Sequence, residues 1–239
     1  MLKLATWNIG SLYDGRDDRH GALYKTLSDY SPDIIAIEEL PEEDSLIDSL
    51  KVCLKAEHHK FVRCSESHVA EGKNMGISVF SKYPIGDVRI LHVDELSLTD
   101  YEYCGRVEHL HRKYFMAAEI IMPEGDRRLV VTGHGYPVHR YSIPEEIFAP
   151  AFLQIDNWIA ELLSGYDVKK TYMMCDFNIP RPLDYMPFSA SEFKDPFEHV
   201  GTRPSGRKTD SVLVHRDTIV YEVVNIGVGF DHNFVMISV

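Results

Sequence analysis

The feature that most constrains this chain is a repeated unit: a short, β-rich apolar run that stops at a polar residue able to do chemistry. The run from Leu2 stops at Asn8, Ile34-Ile35-Ala36-Ile37 stops at Glu38-Glu39, Leu129-Val130-Val131 leads to Thr132-Gly133-His134, and Met173-Met174-Cys175 leads to Asp176-Phe177-Asn178. Two more runs carry the polar group in front: Asp210 precedes Ser211-Val212-Leu213-Val214, and Asp231-His232 precedes Asn233-Phe234-Val235-Met236-Ile237. Runs of this length and composition bury themselves as sheet strands.

Helical stretches separate the strands. Leu23, Leu27 and Tyr30 recur at helical spacing over 17–30, and Leu46, Ile47, Leu50 and Leu54 make one apolar stripe over 43–55. A long helix is predicted over 145–164 with Phe148, Phe152, Ile155, Ile159 and Leu163 facing the core, and Pro150 marks a late start. Further strands are predicted at 60–64, 75–81, 86–93, 170–176, 209–214, 218–226 and 233–238. A hairpin of 114–122 with 128–134 is predicted to turn at Pro123-Glu124-Gly125-Asp126. Strand, long helix and strand occur twice, as 2–8, 17–30 and 33–38, then as 128–134, 145–164 and 170–176. Burying all these runs calls for two packed mixed sheets with helices outside both, a four-layer α/β/β/α sandwich of the α/β (α+β) class. One domain over 1–239 suits this length. A doubly wound Rossmann-like sheet competes, but no Gly-x-Gly-x-x-Gly follows a strand.

Composition narrows the function. With 44% hydrophobic and 26% charged residues, disorder, collagen-like structure and a coiled coil are excluded. A net charge of −12 repels polyanions, so a groove for long duplex DNA is not expected. Four cysteines without a Cys-x-x-Cys pair, and an N-terminus without a charged-then-apolar leader, point to reduced thiols in a cytoplasm. No apolar run approaches the roughly 20 residues of a membrane span.

Taken singly, each polar strand end has an ordinary explanation. Asn8 can accept hydrogen bonds in a turn, Glu39 sits in an acidic cluster ahead of a helix, His134 can be a core-edge histidine, and Asp176 with Asn178 can open a polar loop. The argument is joint. If the sheets stack as proposed, Asn8, Glu39, His134, Asp176, Asn178, Asp231 and His232 share one rim. Asp176 and Asn178, two apart on extended backbone, aim the same way. Hard oxygen donors suit Mg²⁺, with Mn²⁺ as substitute, better than zinc. Imidazoles beside a carboxylate and a water-positioning Asp/Asn pair fit metal-assisted attack on a phosphoester. No Ser or Cys stands in a nucleophile elbow, which disfavours a covalent acyl-enzyme.

In these segments, joined by Gly76-Ile77-Ser78-Val79-Phe80-Ser81-Lys82-Tyr83-Pro84-Ile85 and Thr209-Asp210, the sequence resembles the endonuclease/exonuclease/phosphatase superfamily, which has the pancreatic-deoxyribonuclease fold. The resemblance implies a metal-dependent phosphoesterase. Glu39 would ligate the metal, with Asn8 and Asp231 completing or supporting that shell. Asp176 would orient or deprotonate the attacking water, and Asn178 would hydrogen-bond the water or phosphate. His232, held by Asp210, would stabilise the transition state, and His134 would contact a phosphoryl oxygen or assist the leaving group. The sequence departs from the pattern at Gly10, where several DNA-repair members carry Asp, at Cys175, often Gly, and at Phe230, often Ser.

Substrate choice stays open among nucleic-acid ends or lesions, small nucleotides, and phospholipid or inositol headgroups, with diesters ahead of monoesters. A phosphomonoesterase and a non-catalytic phosphate-binding module of the same fold are the alternatives. Arg203, Arg207 and Lys208, just before Asp210, are candidate substrate contacts; a solvated basic loop is the competing reading. Arg106, His109, His111, Arg112 and Lys113 form a second basic stretch, near Cys104. The spacing there matches no structural zinc pattern. His58-His59 and His139-Arg140 read as surface or loop residues, and Tyr101, Tyr103 and Tyr136 as packing aromatics more than stacking platforms.

Overall fold

Side-chain alternation along the strands sorts the apolar residues into three separate cores, and the layers of the fold follow from that. The structure is a computed structural model that describes residues 1–10, 12, 18–66, 71–93, 101–103, 106–108, 113–137 and 145–239. In chain order the elements begin with β1 (Lys3–Asn8), α1 (Asp18–Tyr30), β2 (Ile34–Pro41), α2 (Asp44–Leu54), β3 (His58–Glu66), β4 (Asn74–Ser81) and β5 (Ile85–Val93). A hairpin of β6 (Tyr101–Tyr103) and β7 (Arg106–Glu108) precedes β8 (Lys113–Ile121), β9 (Arg127–Gly133), α3 (Ala149–Leu163) and β10 (Thr171–Asp176). The chain closes with α4 (Pro187–Glu192), β11 (Phe193–Lys194), β12 (Asp210–His215), β13 (Glu222–Ile226) and β14 (Phe234–Ser238).

Two six-stranded mixed sheets result, ordered β13-β14-β1-β2-β4-β3 and β11-β12-β10-β9-β8-β5. The first core lies between them: Leu4, Ala36, Ile77, Val130, Met174 and Val235 are among its members. The second lies under α1 and α2, where Trp7, Ile35 and Phe80 meet Leu23, Leu27 and Leu50. The third lies under α3, where Val131, Met173 and Leu213 meet Phe152, Ile155 and Ile159. Four layers follow directly, and a Rossmann-like single sheet is excluded by the second sheet. The doubled strand-helix-strand pattern is present, since β1 pairs parallel with β2 around α1, and β9 pairs parallel with β10 around α3.

Pro150 falls in the first turn of α3, behind a 3₁₀ turn at Glu145–Phe148, where a missing N–H is harmless. The predicted strand over 218–226 shortens to β13. Four elements escape local reading, β6, β7, α4 and β11. The first turn of α4 is held by Asp156 of α3, whose carboxylate accepts from Phe188 N and Ser189 N at 2.8 Å each, so its stabilising partner is remote in sequence. His58 and His59 stand on β3 rather than in a loop. His59 packs on Phe80 with ring centroids 4.8 Å apart, and burial, with Lys51 and Lys60 nearby, pushes it down to about 4.

Leu4→Ala, in the core between the sheets, should cost about 2–5 kcal/mol in urea unfolding. The exposed change Val52→Ala should stay within about 0.5 kcal/mol of the parent. Because the folded state holds His59 below the ordinary value of 6.5, its neutral form contributes fully above that pH, and the contribution is lost as pH falls through about 4. His59→Gln should therefore flatten the decline in melting temperature between those two pH values.

Candidate active site

Strand direction brings the polar strand ends together. The parallel strands β1, β2, β9 and β10 present their C-terminal ends, and β12 and β14, antiparallel to their neighbours, present their N-terminal ends, at the same edge of the sandwich. Alternation decides which side chains look between the sheets. Asn8 follows Leu4 and Thr6 at two-residue steps, His134 follows Val130 and Thr132, Asp176 follows Tyr172 and Met174, and Asp210 leads Val212 and Val214. Asp176 and Asp210 are direct partners across β10 and β12. Glu39 breaks the alternation. Its φ is +51° where the register between β2 and β4 shifts, a bulge that lets consecutive residues, Glu38 and Glu39, both serve this end.

Asp176 is the hub. Its Oδ2 accepts from Asn8 Nδ2 at 2.9 Å and lies 3.6 Å from His134 Nε2 and 3.8 Å from His232 Nδ1. Asn8 Nδ2 also reaches Glu39 Oε1 at 3.2 Å, and that oxygen is 3.8 Å from His134 Nε2. Asn178, at φ +59°, folds back so that its backbone N–H donates to Asp176 Oδ1 at 2.9 Å, while its side-chain amide donates to Gly135 O. Gly135 is bare for a reason: a Cβ there would collide with the Phe177 carbonyl, and this close approach keeps His134 against Asp176. His232 Nδ1 is 3.1 Å from both oxygens of Asp210, and Trp7 Nε1 donates to the His232 carbonyl.

Burial makes this network electrostatically forceful. Asp176 and Asp210 are fully buried, and desolvation together with Asp210 raises the Asp176 carboxyl to about 7. For His232, burial alone would push the imidazole down; Asp210 and Asp176 override it and hold the ring up at about 10. At neutral pH the imidazole is therefore cationic, beside the hub carboxylate.

Sequence reasoning missed the supports. Thr202 Oγ1 and Thr209 Oγ1 donate to Asp210 Oδ2 at 2.8 and 2.9 Å. Glu38, next to Glu39 in the acidic stretch ahead of α2, is fully buried; its Oε1 accepts from Thr6 of one sheet and Thr132 of the other. Burial, then Asp176, raises its carboxyl well above the ordinary range. The signal was available: Ile34, Ala36 and Glu38 are two apart.

The basic loop divides. Arg203 reaches the site, its Nη2 2.9 Å from Asp231 Oδ2 and its Nε donating to the Asp231 carbonyl. Arg207 is exposed. Lys208 does not line the mouth: it is 5% exposed, its ammonium 2.6 Å from Asp195 and from Ser211 Oγ, so the expected substrate contact is replaced by a buried ion pair. Asp231 is about half exposed and lies beside His232, with Nε2 to Oδ2 at 4.0 Å. Tyr136 is a packing residue, buried against Phe148. Cys104, His109, His111, Arg112, His139 and Arg140 lie outside the described residues. Glu39 and His134 also border a narrow cavity with Cys64, Met75, Ile77 and Tyr114.

The sequence profile of the Endonuclease/Exonuclease/phosphatase family matches residues 5–165. The chain belongs to this family. A search of the curated proteins found no match. Among solved structures, an endonuclease/exonuclease/phosphatase from Beutenbergia cavernae is similar with a TM-score of 0.70 at 16% identity, over 99% of this chain and 70% of that one. The human Nocturnin catalytic domain, determined with bound sulfate, gives 0.70 at 14%, over 99% of this chain and 93% of that one. A mannosyl-6-phosphatase from Bacteroides thetaiotaomicron gives 0.67 at 14%, over 100% and 99%. Family members are phosphoester hydrolases that use divalent metals, and the buried group Asp176, Asp210 and His232, with donor atoms within 4.8 Å of one another, could bind one.

In metal-free protein the His232 ring signal should hold its protonated shift through neutral pH and titrate near 10 by NMR, falling toward 6.5 in Asp210→Asn. The raised value means this proton stabilises the fold fully below 6.5, and that contribution is lost as pH rises through about 10.

Proposed function

We propose that the chain is a Mg²⁺-dependent phosphodiester hydrolase, Mn²⁺ substituting, acting as one catalytic unit over 1–239 on terminal or small substrates. The observation that carries this reading is the hub: one buried carboxylate, Asp176, approached within 3.8 Å by Asn8, His134 and His232 from three different segments.

The donor set fits a hard cation. Glu39, its side chain 11% exposed, offers carboxylate oxygens at the mouth, Asn8 lies beside it, and Cys175 is turned into the core under α3. Glu39 would hold the metal with Asn8; Asp231, the third expected ligand, already has Oδ2 on Arg203. Bound there, Mg²⁺ would neutralise phosphate charge and polarise a phosphoryl oxygen. The rest belongs to the chain. Asp176, with its carboxyl near 7, takes a proton from the attacking water, and the Asn178 turn keeps its other oxygen fixed. His232, kept cationic by Asp210, faces the negative charge that develops on phosphorus oxygens. His134, between Glu39 and Asp176, contacts a phosphoryl oxygen or the leaving group. The excess of acid elsewhere keeps long duplex DNA away. Free thiols at Cys53, Cys64 and Cys175 accord with a cytoplasmic setting, and among the described residues no helix is long and apolar enough to cross a membrane.

Bis(p-nitrophenyl) phosphate should be hydrolysed faster than p-nitrophenyl phosphate with Mg²⁺ or Mn²⁺, and neither should turn over in EDTA. Asp176→Asn should lower turnover at least about 10²-fold, and Glu39→Ala should abolish the metal response. Turnover that persists in EDTA refutes the mechanism, and a faster monoester makes the protein a phosphatase. Phosphate binding without turnover of any ester marks a binding module.

A further inference from the structure

Every polar atom of Thr202 is engaged, and its partners belong to both sheets. The residue lies in the turn ahead of β12, fully buried, with its N–H on Arg207 O at 3.0 Å. Its Oγ1 accepts from the backbone N–H groups of Thr209 and Asp210 at 2.9 and 3.0 Å. A hydroxyl has two lone pairs and one proton. With both lone pairs occupied, the proton has a single direction left, toward Asp210 Oδ2 at 2.8 Å. Thr209 Oγ1 gives the same oxygen a second donor at 2.9 Å and passes 3.4 Å from His232 Nδ1. The Asp210 carboxylate cannot turn without breaking both bonds.

The backbone of the turn holds the other partner. Thr202 O accepts from Asn233 N at 2.7 Å, so the residue that follows His232 is fastened to the residue that fastens Asp210. Gly201 O accepts from Asn225 Nδ2 at 2.8 Å, and Asn225 Oδ1 accepts from Asn233 Nδ2 at 2.9 Å, which ties β13 and the approach to β14 to the same turn. Asp210 opens a strand of the second sheet, and His232 leads into a strand of the first. His232 Nδ1 nonetheless sits 3.1 Å from both Asp210 oxygens, across 22 positions of chain. With Nδ1 held there, Nε2 is the ring nitrogen left to face the mouth, 4.0 Å from Asp231 Oδ2.

We propose that Thr202, assisted by Thr209, is the positioning residue of the Asp210–His232 pair: its hydroxyl fixes the carboxylate, its carbonyl fixes the approach of the imidazole, and His232 Nε2 is thereby aimed at the phosphoryl oxygens. Both threonines are fully buried, so they act through Asp210 and His232 and not on the substrate. The kinetic consequence rests on the phosphodiesterase reading above; the geometric one does not.

Thr202→Val keeps the shape of the side chain and removes the proton and both acceptor sites. With bis(p-nitrophenyl) phosphate and Mg²⁺, its kcat should fall about 10- to 10²-fold while KM stays within about threefold, the pattern of a reacting group held slightly out of place. Thr202→Ser, which keeps the hydroxyl, should recover most of that loss, and Thr209→Val, which leaves Thr202 on Asp210, should lose less. Proton NMR of metal-free protein gives a readout without turnover. The Nδ1–H of His232 should exchange slowly in the parent and in Thr202→Ser, and should be lost to solvent exchange in Thr202→Val. An unchanged kcat, a loss carried by KM, an unchanged Nδ1–H signal in Thr202→Val, or a Thr202→Ser as slow as Thr202→Val overturns the positioning role. If Thr202→Val fails to fold, Thr209→Val measured in the same way against Thr209→Ser decides. A parent that hydrolyses only the monoester, or no ester, while the Nδ1–H signal responds as stated keeps the positioning role and removes the phosphodiesterase reading.

Discussion

The hydrogen bond from Asn8 Nδ2 to Asp176 Oδ2 ties the two sheets together at the end where their polar residues gather. Everything at the mouth depends on the sheets meeting in that register. The first sheet brings Asn8, Glu38, Glu39 and His232, and the second brings His134, Asp176 and Asp210. A slip of one residue in β1 or β10 would turn Asn8 or Asp176 toward the helices and leave a buried carboxylate without its donor. Below the mouth, Glu38 makes the same connection in the interior, one oxygen accepting from Thr6 of one sheet and Thr132 of the other.

Burial then turns geometry into chemistry. Carboxylates at the edge of an apolar core resist ionisation, and the strand pairing that sets Asp176 opposite Asp210 strengthens that resistance. The same pair of acids draws a proton onto His232. One arrangement therefore yields a carboxyl near neutrality and an imidazolium side by side. The hydroxyls of Thr202 and Thr209 and the bulge at Glu39 are the local devices that make it fit.

Much of this was legible along the chain. Two-residue alternation places Asn8, His134, Asp176 and Asp210 on inner strand faces, and the doubled strand-helix-strand order gives the four layers. The same alternation points to Glu38, Thr6 and Thr132, whose role had to be read from the step and not from the acidic character of the neighbouring residues. Lys208 shows the opposite case. It stands in a run of cations that reads as a phosphate loop, yet its ammonium is buried against Asp195, thirteen positions earlier, because the turn at Thr202–Arg207 swings it inward.

Residue type and local period, then, determined what kinds of group this chain can gather and which face of each strand carries them, since both are properties of a few consecutive residues. The tertiary structure alone decided which groups touch: Trp7 with the His232 carbonyl, Arg19 with Phe230, Arg203 with Asp231, Asp156 with the start of α4. Those pairs lie tens to hundreds of positions apart. Whether they meet is set by how two twisted sheets and their helices pack, a balance summed over three cores that no single stretch of sequence contains.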